Sequence, residues 1–138
     1  MTRARQAVRS PVAFGAFWNL TRREVRRPQP VDPGVHHAVG GSHHSLLVEM
    51  RDHLIVFDAP VSDGHSKWVL DTARTKYPGK PVKYLVLTHH HMDHAGGLRA
   101  YADAGATIVT GKGTAEHFRK MLAAPATRNP DLAAKDLT

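Results

Sequence analysis

The chain has 138 residues, room for one domain or for part of a larger one. Apolar residues make up 41%, enough to bury a core, and no apolar run approaches the roughly 20 residues that span a bilayer. The formal charge is +7 and cysteine is absent, which excludes disulfides, thiolate zinc sites and cysteine nucleophiles but leaves the compartment open.

The charge is uneven. Residues 1–40 carry seven Arg against Glu24 and Asp32, a net of +5; the remainder carries twelve basic and ten acidic side chains, a net of +2. Residues 1–38 therefore read as a basic N-terminal arm or lead-in. Such an arm can attract nucleic acid or anionic lipid, and a solvated leader is the plainer reading. The run Pro11–Leu20 resembles a cleaved leader only loosely, because it is short and holds Gly15 and Asn19; a cytoplasmic location is favoured. Pro28, Pro30 and Pro33 predict an extended link.

Regular patterning begins near Gly40. Ser45–Met50 reads as a strand, Arg51-Asp52-His53 as a turn, and Leu54–Phe57 as a second strand buried on both faces. Asp63–Tyr77 is a predicted helix whose stripe is Trp68, Val69, Thr72, Ala73 and Tyr77, stopped by Pro78-Gly79. Val82–Leu87 is the next buried strand. Ala95–Ala104 follows as a helix, with Gly105 just past its end. Thr107–Val109 is a short strand. Thr114 can cap a last helix in which Ala115, Phe118 and Leu122 share a face. Pro125 ends that helix, and residues 125–138 read as a disordered tail or a truncated continuation. Strands separated by helices imply parallel crossovers and an α/β layer.

One stretch carries chemistry: Thr88-His89-His90-His91-Met92-Asp93-His94-Ala95-Gly96-Gly97. It follows a strand and precedes a helix, where ligand sites form in α/β sheets. His89, His91, Asp93 and His94 are four potential metal ligands within six residues. Imidazoles and a carboxylate suit zinc, and less selectively iron, manganese or cobalt. In extended backbone His89 and His91 project to the same side and can grip one ion. The turn into the helix redirects Asp93 and His94 toward a second. Gly96 and Gly97 lack a Cβ, so backbone can crowd the site.

The spacing His89-x-His91-x-Asp93-His94, with Thr88 before it and Gly96-Gly97 after, resembles the His-x-His-x-Asp-His signature of the metallo-β-lactamase fold superfamily. The hairpin ending in Asp58, within Leu54–Pro60, is similar to that family as well. The resemblance covers roughly Val39 to Leu122 and places the family-like region at residues 39–124. It implies half of an αββα sandwich, a mixed sheet with helices on one face. It also implies His89 and His91 as ligands of a first ion, Asp93 and His94 as ligands of a second, and Asp93 as a group that orients the attacking hydroxide or relays a proton. Asp58, otherwise readable as a strand-end turn residue, resembles the family's supporting acid that holds a ligand by hydrogen bonds.

His90 and Met92 fall at variable positions of the signature. His36, His37, His43, His44, His53 and His65 match no motif and read as ordinary polar residues, though His43 and His44 precede a strand and could line the cleft. The family also supplies a downstream His, a bridging Asp and a last His. The 44 residues after His94 hold only His117, and neither it nor Asp103, Asp131 or Asp136 has matching context. The chain thus reads as an N-terminal half with an open apolar sheet face, which a second half or a second copy would cover at about 25 cal/mol per Å².

Three functions compete. The first is a metal-dependent, zinc-type hydrolase using a metal-held hydroxide on a small-molecule ester, thioester, lactone or amide-type bond, with this chain an incomplete part. The second is a non-catalytic metal-binding half-domain or interaction module. The third is a nucleic-acid processing member, disfavoured because the region beyond the arm is nearly neutral.

Overall fold

A computed structural model describes residues 27–39 and 42–125. The first part of the arm, the run at residues 11–20 and the tail beyond Pro125 lie outside the described residues.

Six strands form one sheet in chain order. β1 (Arg27–Asp32) and β2 (Val35–Val39) are an antiparallel hairpin, followed by β3 (Ser45–Glu49) and β4 (Leu54–Phe57), each antiparallel to its predecessor. β5 (Val82–Val86) and β6 (Thr107–Val109) then add in parallel. The crossovers are α1 (Asp63–Lys76) between β4 and β5, and α2 (Met92–Ala95) with α3 (Leu98–Asp103) between β5 and β6. α4 (Ala115–Ala123) closes the described chain.

The first hairpin differs from the expected link. Pro28 and Pro30 lie in β1, an edge strand, where a backbone that donates fewer hydrogen bonds is tolerated. Asp32-Pro33-Gly34 supplies the turn, with Gly34 at φ +74, a conformation that favours glycine.

Strand alternation sorts the sheet into two faces. His36, Leu47, Val56 and Leu85 align across β2 to β5 and are buried, beneath Val69, Leu70 and Ala73 of α1, Leu98 and Tyr101 of α3, and Phe118 of α4. The next row, His37, Leu46, Phe57 and Val86, points the other way and is only half-buried, and Val109 beyond it is exposed. This is a mixed α/β sheet with helices on one face, as expected. β4 is correspondingly buried on its helix side only (Leu54 and Val56), not on both faces.

Two helical expectations change. The helix predicted over Ala95–Ala104 is split into α2 and α3 at Gly96-Gly97. Thr114 stands at the start of α4, yet its hydroxyl donates to the Gly111 carbonyl at 2.9 Å rather than capping the helix, because a 3₁₀ turn over Lys112–Thr114 comes first. α1 has a true side-chain cap, the Ser62 hydroxyl accepting from the His65 N–H at 3.4 Å.

Candidate metal centre

Parallel β4 and β5 end at the same edge of the sheet. β3, antiparallel to β4, begins there, with Leu46 opposite Phe57. Three loops therefore converge: the β2–β3 connection with His43, the β4–α1 corner from Asp58 to Ser62, and the β5–α2 loop from Leu87 to His91.

The corner is strained and heavily tied. Asp58 has φ +59 and Val61 φ +67. Asp tolerates the left-handed region; a β-branched Val there costs about 1–3 kcal/mol. Backbone bonds hold the corner: Asp58 N–H to the Val86 carbonyl at 2.9 Å, Ala59 N–H to the His94 carbonyl at 2.8 Å, and Gly97 N–H to the Ala59 carbonyl at 2.9 Å. The buried Ser45 hydroxyl donates to the Asp58 carbonyl at 2.8 Å.

The two glycines serve this corner rather than crowding the site. A Cβ on Gly96 would lie 2.6 Å from the Val61 carbonyl oxygen, and one on Gly97 would lie 2.5 Å from the Ser62 carbonyl oxygen. Only glycine lets the β5–α3 backbone dock against the β4–α1 backbone.

The Asp58 carboxylate accepts three hydrogen bonds: from the Thr88 N–H at 2.9 Å, from the Thr88 hydroxyl at 2.9 Å, and from His94 Nδ1 at 2.8 Å. With its proton given to Asp58, the Thr88 oxygen accepts from His89 Nδ1 at 3.2 Å. This assignment of protons, made from the hydrogen-bond network, leaves Nε2 of both His89 and His94 with a free lone pair. One buried carboxylate thus orients two imidazoles, one directly and one through Thr88. The Thr88 role was not visible in the sequence; only its place in the signature was.

The expected ligands come together. The rings of His89 and His94 are 4.1 Å apart, and those of His89 and His91 4.9 Å. Donor atoms of His89, His91 and Asp93 lie within 4.8 Å of one another. A second group of donors within the same limit is His43, Asp93 and His94. Asp93 belongs to both, its Oδ2 3.9 Å from His94 Nε2 and 3.2 Å from His43 Nε2. His43, expected at most to line the cleft beside His44, is the member of that second group that no motif marks.

The other imidazoles fall outside these groups. His36 bonds the Tyr77 hydroxyl at 2.8 Å, and His53 bonds Asp52 at 2.8 Å. His44 packs edge-on against His37 at 4.9 Å; burial, helped by that neighbour, holds it below the usual imidazole range. His65 packs against Trp68, and exposed His90 against His117 of α4.

Comparison with known proteins agrees with the geometry. The model of the metallo-beta-lactamase superfamily matches residues 38–125. The chain belongs to that superfamily. A linear primary-alkylsulfatase of Pseudomonas sp is 38% identical over 66 residues, which cover 48% of this chain and 10% of that protein. A metallo-β-lactamase with a HARLDQ motif from Cronobacter sakazakii superposes with a TM-score of 0.58 at 22% identity, over 70% of this chain and 36% of that one. One from Hirschia baltica gives 0.58 at 20% identity, over 73% and 50%. One from Pseudomonas aeruginosa in its mono-zinc form gives 0.57 at 20% identity, over 68% and 45%. The chain thus spans half or less of each of these solved structures and a tenth of the curated relative. Among the described residues no helix is long and apolar enough to cross a membrane.

Proposed function

We propose that the chain carries the N-terminal metal-binding part of a metal-dependent hydrolase, with His89, His91, Asp93 and His94 as ligands. The observation that carries this is the Asp58 carboxylate fixing Nδ1 of His94 directly and Nδ1 of His89 through Thr88. An imidazole held by a carboxylate at one nitrogen is the arrangement that orients a metal ligand at the other.

Zinc suits the donor set best, with iron or manganese as substitutes. Bound in pairs, such ions lower the pKa of a water and polarise the bond under attack. Asp93, which belongs to both donor groups, would orient that water or take its proton. The substrate class is a small molecule with an ester, thioester, lactone or amide-type bond. A sulfate ester joins that set because the alkylsulfatase relative is 38% identical over 66 residues. A second half or a second copy would cover the face bearing Leu46, Phe57 and Val86.

The test is zinc content and turnover of the full-length protein on a panel of these bonds. The reading predicts that a chelator abolishes turnover, that zinc restores it, and that the His89→Ala, His91→Ala double variant loses zinc. Unchanged zinc content in that variant contradicts the ligand assignment, and tight metal binding with no turnover on any bond favours a non-catalytic module.

A further inference from the structure

The geometry points to His43 as a further metal ligand, closing a three-donor set with Asp93 and His94 from the sheet side of the site; this rests on the reading of the site as a metal centre. His43 comes from a different element than the signature. It stands on the short connection into β3, two residues before Ser45, whose hydroxyl holds the Asp58 carbonyl. The same strand end therefore anchors the corner and presents His43.

Spacing supports a shared ion. Donors about 2.1 Å from one ion are about 3.0 Å apart at right angles and at most about 4.2 Å apart. His43 Nε2 to Asp93 Oδ2 is 3.2 Å, and Asp93 Oδ2 to His94 Nε2 is 3.9 Å. The rings of His43 and His94 meet at 5.3 Å, inclined by 69°. The Ser42 hydroxyl lies 2.9 Å from His43 Nδ1 and can accept its proton, which leaves the Nε2 lone pair for the ion. His43, Asp93 and His94 are all half-buried, accessible to an ion yet held by neighbours.

His44 provides the internal contrast. It is adjacent in sequence, yet its ring packs on His37 and it joins neither donor group. A role for the β2–β3 connection through general packing would involve both residues; a role as ligand singles out His43.

The experiment is a Co²⁺ titration of the metal-free full-length protein, followed by calorimetry and by the visible absorption of the bound ion. The wild type is expected to take two ions. In His43→Ala and His43→Gln one of them binds about tenfold or more weakly, with an altered visible band, while the other is unaffected. In His44→Ala both constants stay within about twofold of wild type. If both His43 variants keep the wild-type constants and spectrum, His43 is not a ligand, and the assignment of the signature residues stands. A wild type that takes no Co²⁺ overturns the metal centre itself, and His43 with it.

Discussion

Two carboxylates flank His94 and differ in every physical respect. Asp58 meets Nδ1 at 2.8 Å from a strained corner, its side chain 12% exposed and bonded by Thr88 as well as His94. Asp93 faces Nε2 at 3.9 Å from the start of a four-residue helix, with its side chain 46% exposed. The corner is scaffold: buried at Asp58, Ala59 and Pro60, over-determined and tied to three other elements. The signature loop is presentation: half-exposed, its donors gathered toward one another and tied back to the corner through His94 and Thr88. A site that must hold an ion needs both, because a ligand is pre-oriented only if something behind it is rigid.

That contrast sorts the expected effects of mutation. The largest falls on the corner. In Gly97→Ala the new Cβ would overlap the Ser66 hydroxyl and sit 2.5 Å from the Ser62 carbonyl oxygen. Backbone must move, and urea unfolding should report a loss of about 3 kcal/mol, the upper end of what overpacking usually costs. A Gly97→Ala protein as stable as wild type would mean that the corner is loose.

Asp58→Ala comes next and touches both regions. It leaves the Thr88 N–H and His94 Nδ1–H without their partner, at a cost of about 1–3 kcal/mol. It also frees two imidazoles to rotate, so metal affinity should fall about 10–100-fold. Loss of stability with full metal affinity would separate the corner from the site. His91→Ala sharpens the comparison from the other side. The residue is exposed and its ring packs beside those of His89 and His90, so the metal-free melting temperature should hold while metal is lost.

The smallest effect lies away from both. Burial, with Lys76 adding to it, holds the His36 imidazole below its ordinary value of 6.5. The unfolded chain therefore takes up a proton there that the folded chain resists. Stability is full above about pH 6.5 and falls as acid is added below it. Urea midpoints between pH 8 and pH 5 should fall less steeply in His36→Leu than in wild type.

What was legible in the sequence was what is local. The signature, the strands before and after α1, and α1 itself rest on spacing and periodicity within a few residues, and they stand. Asp58 was legible because it ends a strand in a familiar position. The missing parts depend on pairing between distant segments. Pro28 and Pro30 read as breakers, since nothing local says that β1 is an edge, although Asp32-Pro33-Gly34 is a local turn signal. Gly96-Gly97 divides a helix because it must dock on Val61 and Ser62, more than thirty residues earlier. His43 looks ordinary until β3 is set antiparallel to β4, which brings the residues before Ser45 beside those after Phe57.

The central claim is that His89, His91, Asp93 and His94 surround metal and that Asp58 holds them for it. Anomalous scattering at the zinc edge, measured on crystals of the full-length zinc-loaded protein, tests it most directly. The account predicts a peak about 2.1 Å from Nε2 of His89 and another at that distance from Nε2 of His94. Zinc bound elsewhere, or bound with those two nitrogens turned away and Asp58 detached from His94, would contradict it.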